Sequence, residues 1–257
     1  MTSKSCAVIY YDNQAQQYIA VGSSEEDAIQ KIPIQHQKFK RFVYHDFHNI
    51  NPLDAVKLDK HGRRGDWITT VSGIPFYCFD PKIGDISLSD ICHACGYECR
   101  WGNMSKQFYS VAQHSVYVGL AAEEYALETT GSKDLGWLAK LVGYLHDAHE
   151  AYSGDHPTPI KRHIPILQCV EDLLDTAIFE KIGVSKNNYL SVLEFVKKAD
   201  RSVLVMEKYA LVKQTEWHSW DCLEPPWKPE GWLKPMGPDE SGQFMLNALK
   251  DIGLKNV

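Results

Sequence analysis

Three stretches of the sequence place ionisable side chains within otherwise apolar patterns of helical period. His114 lies in the first turn of one predicted helix, His146 and Asp147 follow an apolar run in a second, and Asp200 interrupts the apolar stripe of a third. Burying such groups is costly unless they are paired or bind a metal. Two imidazoles and two carboxylates brought together from three helices would form a nitrogen and oxygen site for a divalent transition metal. An ion held there with open positions would activate water and polarise a phosphate group.

The elements that must position these residues follow from the spacing of the apolar residues. Ser110 and Gln113 form the pattern of a capping box, with Ser110 as the N-cap and Gln113 reaching back to it. His149 and Glu150 follow the His-Asp pair by one turn, and positions 146 and 150 share a face. The predicted helices are 88–99, 110–127, 135–152, 171–182, 190–211 and 242–254. The core is therefore predicted to be a helical bundle.

Short elements precede the bundle and a tail follows it. Residues 7–21 have the pattern of two strands and 25–31 that of a short helix, which together predict a small α/β appendage. A polar segment at 47–65 is a predicted linker, and a β-hairpin with a Ser72-Gly73 turn follows it. The Trp- and Pro-rich tail is predicted to pack over the bundle as a strap. The predicted divisions are 1–65 (appendage and linker), 66–215 (helical core with leading hairpin) and 216–257 (tail and final helix).

Composition limits the class of protein. A chain of 257 residues with 44% hydrophobic content can bury a sizeable core, and its net charge of -6 argues against binding to a nucleic acid polymer. There is no run of about 18 apolar residues and no signal-peptide pattern, so a cytoplasmic protein without membrane contact is expected. Seven cysteines without regular spacing favour reduced thiols over disulfides. Because helical bundles often pair through an apolar helix face, we expect a homo-oligomer.

Two other patterns are predicted to be structural. Cys92, Cys95 and Cys99 have a spacing that superficially suggests a zinc knuckle, but it also places them on one helical face, so core packing is favoured. Four aromatic residues are interpreted as core residues of the bundle, with the alternative that one of them lines a pocket: Tyr109, Tyr117, Trp137 and Tyr144. The basic run at 60–64 is predicted to be a solvated surface.

The stretch 146–161 carries the most specific motif in the chain. It reads His-Asp-Ala-His-Glu-Ala-Tyr-Ser-Gly-Asp-His-Pro-Thr-Pro-Ile-Lys, and it resembles a pattern of HD, a glutamate, and Gly-Asp-x-Pro-Thr-Pro-x-Lys. That pattern is typical of the 5'-deoxynucleotidase-like branch of the HD-domain phosphohydrolase superfamily, and the resemblance spans about residues 85–211. A second pair, His45-Asp46, lacks a helical frame and is predicted to be incidental. The resemblance implies a mainly α fold, an HD-domain helical bundle, here with the appendage and hairpin added.

The resemblance also implies roles for individual residues. Glu150 would position or deprotonate the attacking water, and it lies one turn from a ligand, where such a base is expected. Arg100 and Trp101 would form a phosphate clamp and an aromatic wall for the nucleoside, and the planar fork of arginine suits phosphate oxygens. Asp155 would contact the sugar hydroxyl within the catalytic site, and Thr158 and Lys161 would bind the substrate phosphate. The implied metal ligands are His114, His146, Asp147 and Asp200.

The expected activity is metal-dependent removal of a 5'-phosphate from a deoxynucleotide by activated water. The metal is not distinguished among Co, Mn, Zn, Mg and Fe. A phage-encoded branch that removes all phosphates from deoxyadenosine triphosphate has a similar motif order, so a triphosphohydrolase is an alternative, with Lys161, Arg162 and His163 as additional basic groups. Two further alternatives are a nucleotide-binding module without turnover and a di-iron HD oxygenase. The latter is suggested by the extra histidines His149, His156 and His163.

Overall fold

The computed structural model describes residues 56–213 and 224–254, together with the backbone of three strands nearer the N-terminus. The chain divides into two compact units, Met1–Ala55 and Val56–Val257. In the first unit, β1 (Cys6–Tyr11) is the central strand of an antiparallel sheet and pairs with β2 (Gln17–Gly22) and β3 (Arg41–His45). The two predicted strands are confirmed, while the predicted helix at 25–31 lies outside the described residues.

The second unit begins ten residues before the predicted boundary near 65. Within it, β4 (Ile68–Thr69) and β5 (Pro75–Phe76) form the predicted hairpin as two very short strands. The basic run before the hairpin is not simply a solvated surface, because Arg63 is only 22% exposed and forms ion pairs with Asp80 and Asp85. These contacts attach residues 56–65 to the second unit.

Eight helices follow in the described part of the second unit, so the prediction of a mainly α fold is confirmed. Serine side chains at 87, 110, 132 and 185 accept a hydrogen bond from the N–H three residues on, which is the pattern of an N-cap. The helices are α1 (Leu88–Tyr97), α2 (Val111–Thr130), α3 (Lys133–Tyr144), α4 (Glu150–Ser153), α5 (Thr158–Lys161), α6 (Pro165–Lys181), α7 (Lys186–Leu211) and α8 (Pro238–Asp251).

The predicted continuous helix at 135–152 is wrong. Helix α3 ends at Tyr144, and residues 145–149 form turns with hydrogen bonds between residues three apart before α4 begins. Adjacent side chains of a regular α-helix diverge by about 100°. The break therefore allows His146 and Asp147, which are neighbours in sequence, to face the same point.

Helices α2 and α3 cross at two glycines. A Cβ atom on Gly143 would lie 2.6 Å from the Cα of Gly119, so only glycine permits this approach. The crossing matters for the site because α2 carries His114 and α3 leads directly into the His146-Asp147 pair.

Substituting Gly143→Ala is expected to force these helices apart and to destabilise the protein by about 1–3 kcal/mol, because overpacking a tight core contact has that cost. The measurement is the urea midpoint of unfolding. Gly84→Ala is the matched control, since an added Cβ there meets nothing within 4 Å. Equal midpoints for the two variants would contradict the importance of the crossing.

The tail packs on the bundle as a strap in its described residues, 224–254. The side chain of Gln113 does not reach back to Ser110, as the capping box predicted; its amide donates to Lys234 O and its carbonyl accepts from Met236 N, at 2.8 and 3.0 Å. The N-cap role of Ser110 itself is confirmed, with the N–H of Gln113 at 3.1 Å. The tail thus fixes the start of α2, the helix that carries His114.

Most of the residues predicted to be structural are buried. Cys92 and Cys95 lie in the core, as do Tyr109, Tyr117 and Tyr144. Two expectations need correction: α1 ends at Tyr97, before Cys99, and Trp137 is 44% exposed, with its indole N–H donating to Ile252 O. Among the described residues, none of the helices combines the length and apolar character needed to cross a bilayer.

Candidate active site

Four of the predicted site residues converge at one point from three elements. Helix α2 supplies His114, the break after α3 supplies His146 and Asp147, and α7 supplies Asp200. The Nε2 atom of His114 lies 3.2 Å from Asp200 Oδ1 and 3.5 Å from Asp147 Oδ2. The Nε2 atom of His146 lies 3.2 Å from Asp147 Oδ2 and 4.0 Å from Asp200 Oδ1. The structure therefore brings together all four residues of the predicted ligand set.

Both imidazoles are oriented by a bond at the opposite ring nitrogen. Nδ1 of His114 contacts Glu207 Oε1 at 2.6 Å, and Nδ1 of His146 contacts the carbonyl of Gly143 at 2.8 Å. Each Nε2 then faces the cluster, where it is buried and makes no hydrogen bond of good geometry within the described residues. Two such nitrogens beside two carboxylates are the donor set expected for a divalent metal ion, with the outer bonds fixing the ring tautomers.

Glu207 was not predicted from the sequence, although it organises the site. Its side chain is fully buried, and besides His114 it contacts Arg100 Nε at 3.4 Å and accepts from Trp101 Nε1 at 3.3 Å. Burial opposes ionisation, but the charges of His114 and Arg100 hold the pKa of Glu207 below its usual range. A signal existed: Glu207 lies seven residues after Asp200, two helical turns along the same stripe.

Glu207→Gln is expected to weaken metal binding by about 10- to 100-fold, which is the usual effect of losing a carboxylate behind a ligand histidine. The affinity for Mn²⁺ or Co²⁺ can be measured by equilibrium dialysis. Glu194→Gln, at an exposed glutamate of the same helix, is the matched control. Equal affinities for the two variants would contradict the role assigned to Glu207.

Without a metal, the cluster holds a proton on His114. Burial and Arg100 lower the pKa of this imidazole, but Glu207 and Asp200 outweigh them and raise it to about 9. Burial also opposes ionisation of Asp147, yet His146, His114 and Arg100 hold the pKa of Asp147 well below its usual range. A metal that binds at neutral pH must therefore displace the His114 proton.

Metal affinity is accordingly expected to rise with pH by up to about tenfold per unit and to level off near pH 9, where His114 is already neutral. Calorimetric titrations in buffers of different ionisation enthalpy would report the number of protons released. Release of about one proton per ion near pH 7 is the expected result. No proton release there would show that His114 is neutral before the metal binds.

A pocket of about 580 Å³ opens above this cluster. Glu150, Asp147 and Asp200 line this pocket. All five predicted substrate residues line it as well: Arg100, Trp101, Asp155, Thr158 and Lys161. His156 also lines the pocket, with Nδ1 on the carbonyl of Gly154, whereas His163 is exposed and is not among the lining residues. The pocket thus brings the predicted substrate residues together with Asp147 and Asp200, two of the four predicted metal ligands.

The turn that carries Trp101 has an uncommon backbone. Trp101 and Asn103 both have φ of 63°, and Gly102 between them has φ of 55°. Non-glycine residues rarely adopt this left-handed conformation, which costs about 1–3 kcal/mol and is found mainly where surrounding contacts enforce it. The contact of the indole with Glu207 is one such constraint, and it holds the ring at the pocket wall.

The two cations predicted to bind phosphate are already paired with carboxylates. Arg100 Nη1 lies 3.3 Å from Asp147 Oδ2, and Lys161 Nζ lies 2.8 Å from Glu171 Oε2. Glu171, which is nearly buried on α6, was not identified from the sequence. These pairs hold both cationic groups in place at the pocket before any ligand enters.

Two carboxyl groups of the pocket differ from the rest in their protonation. Burial and the negative charge of Asp147 raise the pKa of Glu150 well above its usual range, and its Oε2 is buried without a hydrogen-bond partner in the described part. Burial also raises the pKa of Asp155, whose backbone N–H donates to Glu98 Oε1. A carboxyl with a raised pKa is suited to proton transfer near neutral pH.

Comparison with known protein families identified relatives but no matching family model. The uncharacterised protein YfdR of Escherichia coli K12 is 35% identical over 119 residues, which is 46% of this chain and 59% of the relative. The uncharacterised protein RCAP_rcc00048 of Rhodobacter capsulatus is 31% identical over 137 residues, 52% of this chain and 67% of the relative. The chain therefore spans about three-fifths of the length of the first relative and two-thirds of the second. With that coverage, the chain belongs to the same family as RCAP_rcc00048.

Proposed function

We propose that this protein is a metal-dependent phosphohydrolase that removes the 5'-phosphate from a deoxynucleotide. The observation that carries the proposal is the pair of buried, unpartnered imidazole nitrogens of His114 and His146, which face two carboxylates at the floor of a pocket lined by Arg100 and Glu150. A divalent ion bound there supplies a polarised phosphate oxygen and a water of lowered pKa. The pocket volume of about 580 Å³ suits a ligand of nucleotide size.

The residues around the pocket divide the remaining tasks of hydrolysis. In its ionised form, Glu150 accepts a proton from the attacking water at one of its two carboxylate oxygens, as the bond from water oxygen to phosphorus forms. The bond from phosphorus to the 5'-oxygen breaks, the leaving oxygen takes up a proton from solvent, and Glu150 afterwards releases the proton it accepted. Arg100 neutralises charge on the phosphoryl oxygens in the transition state, because its guanidinium is already held at the pocket.

The nucleoside is held by the opposite wall in this proposal. Trp101 provides an aromatic surface for the base, and its indole is fixed by Glu207. The Asp155 side chain accepts a hydrogen bond from a sugar hydroxyl, while Thr158 and Lys161 contact the phosphate. The family resemblance supplies these assignments, and their place in one cavity supports them.

The test is phosphate release from a panel of deoxynucleoside and ribonucleoside monophosphates, each with Mn²⁺, Co²⁺, Mg²⁺ or Zn²⁺. Release from deoxynucleotides with at least one of these ions, and its loss with a chelator, is the expected result. Binding of nucleotide without metal-dependent release would favour a binding module instead. Equally fast release from a phosphate ester without a nucleoside, such as p-nitrophenyl phosphate, would contradict the assignment of a nucleoside wall.

A second candidate, hydrolysis of a deoxynucleoside triphosphate, is favoured by the presence of Arg162 beside Lys161 in the pocket lining. Three cationic residues around one cavity would suit a longer phosphate chain. Product analysis separates the two activities. A triphosphohydrolase yields nucleoside and tripolyphosphate from a triphosphate, whereas a monophosphatase leaves that substrate intact.

A further inference from the structure

His149 has the same arrangement as the two histidines of the metal cluster. Its ring is 6% exposed, its Nδ1 contacts Asp175 Oδ1 on α6 at 2.9 Å, and its Nε2 is buried without a hydrogen-bond partner in the described residues. His114 and His146 show the same two features, an anchored Nδ1 and a buried, unpartnered Nε2. A carboxylate that anchors one ring nitrogen is the usual support for a metal bond at the other.

Two carboxylates lie within reach of this imidazole. One ligand atom each from Asp147, His149 and Glu150 lie within 4.8 Å of one another, and Glu150 Oε2 is itself buried and unpartnered. Asp147 also belongs to the first cluster, since its Oδ2 lies 3.5 Å from His114 Nε2 and 3.2 Å from His146 Nε2. A carboxylate has two oxygens, so it can bridge two ions.

Carboxylates outnumber cationic side chains around the pocket. Six carboxylates, including the partners of Arg100 and Lys161, face the three cationic groups of Arg100, Lys161 and Arg162. This excess of acidic groups favours the binding of cations. The six carboxylates are those of Asp147, Glu150, Asp155, Glu171, Asp200 and Glu207.

We infer that Asp147, His149 and Glu150 form a second divalent-cation site beside the first, with Asp147 bridging the two ions. Two carboxylates and one imidazole suit a cation of the Mn²⁺ or Mg²⁺ type. The inference deepens the proposed function and rests on it for the role of the ion, which is to hold a second phosphate oxygen. Paired ions in such sites lie about 3.5–4 Å apart.

The competing occupant of His149 Nε2 is a proton. Glu171 Oε1 lies 3.9 Å from this nitrogen, so a protonated ring would face Asp175 on one side and Glu171 on the other. Glu171 is shared with Lys161, at 2.8 Å from its other oxygen, which satisfies part of its charge already. The two arrangements differ in metal stoichiometry, so they can be separated by experiment.

The experiment is Mn²⁺ titration of the metal-stripped full chain by equilibrium dialysis, with electron paramagnetic resonance of the loaded samples. The wild type is expected to bind two ions per chain and to show an exchange-coupled spectrum. His149→Ala is expected to bind one ion and show the six-line spectrum of isolated Mn²⁺. His93→Ala, at an exposed histidine of α1, is the matched control and should behave as wild type.

One bound ion with an uncoupled spectrum in the wild type would overturn the inference, as would an unchanged stoichiometry in His149→Ala. Should His149→Ala fail to fold, Asp175→Asn provides a milder variant, expected to weaken the second ion by about 10- to 100-fold while the first is retained. If the second ion bound to Asp175→Asn as tightly as to the wild type, the inference would also be overturned. Phosphate release measured on the same samples keeps the proposals distinct. Two coupled ions without hydrolysis would contradict only the proposed function. Hydrolysis with one bound ion would contradict only the second metal site.

Discussion

Replacing Asp200 by asparagine is expected to lower kcat/KM for phosphate release by about a thousandfold, since losing roughly 4 kcal/mol of transition-state stabilisation has that effect. Asp200 Oδ1 lies between the two histidine nitrogens, at 3.2 and 4.0 Å, so the neutral amide removes a charge from the ligand set without changing its shape. The side chain is 41% exposed, which means that the fold should tolerate the change. Initial rates at saturating Mn²⁺, together with metal content, measure the effect.

The control for this variant is Asp172→Asn, the same chemical change at an exposed aspartate of α6. It should retain full activity and the wild-type metal content. If Asp200→Asn kept more than about a tenth of the activity at the same metal content, Asp200 would not belong to the catalytic ligand set.

Glu150→Gln is expected to lower kcat by about 100- to 10,000-fold, the range typical of removing a general base. The same substitution should stabilise the metal-free protein, because burial and Asp147 raise the pKa of Glu150 and the folded state must keep a proton on it or bury its charge. When folding raises the pKa of a carboxyl group, the free energy of unfolding decreases as the pH rises above the pKa of that group in the unfolded chain. The gain in Tm should therefore be small near about pH 4 and large near about pH 8.

Thermal unfolding of chelator-treated wild type and variant at several pH values measures this dependence. Glu180→Gln, at an exposed glutamate, should leave Tm unchanged across the same range. A Glu150→Gln variant that is less stable than wild type at the higher pH would show that the carboxylate is compensated in the metal-free protein. Full activity in this variant would remove Glu150 from the reaction.

The four clustered residues were predictable because they follow rules that operate along the chain. His114 follows an N-cap, the His-Asp pair ends an apolar run, and Asp200 interrupts a helical stripe. The break between α3 and α4 was not predictable in this way. The apolar residues on either side keep helical spacing, and periodicity reports which positions are buried rather than which carbonyl each N–H binds.

The supporting residues depend on contacts between distant parts of the chain. The contact between Glu207 and His114 joins residues that are 93 positions apart in the sequence. The pairing of β1 with β3 in the first unit also joins segments that are far apart in the sequence. Asp175 meets His149 through the packing of α6 near α4. No local pattern encodes such partners. The sequence did show Glu207 two helical turns after Asp200. Its contact with His114 could be recognised only from the fold.

The most direct test of the proposed function is hydrolysis of a deoxynucleoside monophosphate by the metal-loaded protein in ¹⁸O-labelled water, under argon, with mass spectrometry of both products. Attack of water on phosphorus predicts one ¹⁸O atom in the inorganic phosphate and an unlabelled deoxynucleoside. Label in the deoxynucleoside would contradict attack at phosphorus. An absolute requirement for oxygen would point to the di-iron chemistry instead, and no phosphate from any deoxynucleotide would contradict the assignment altogether.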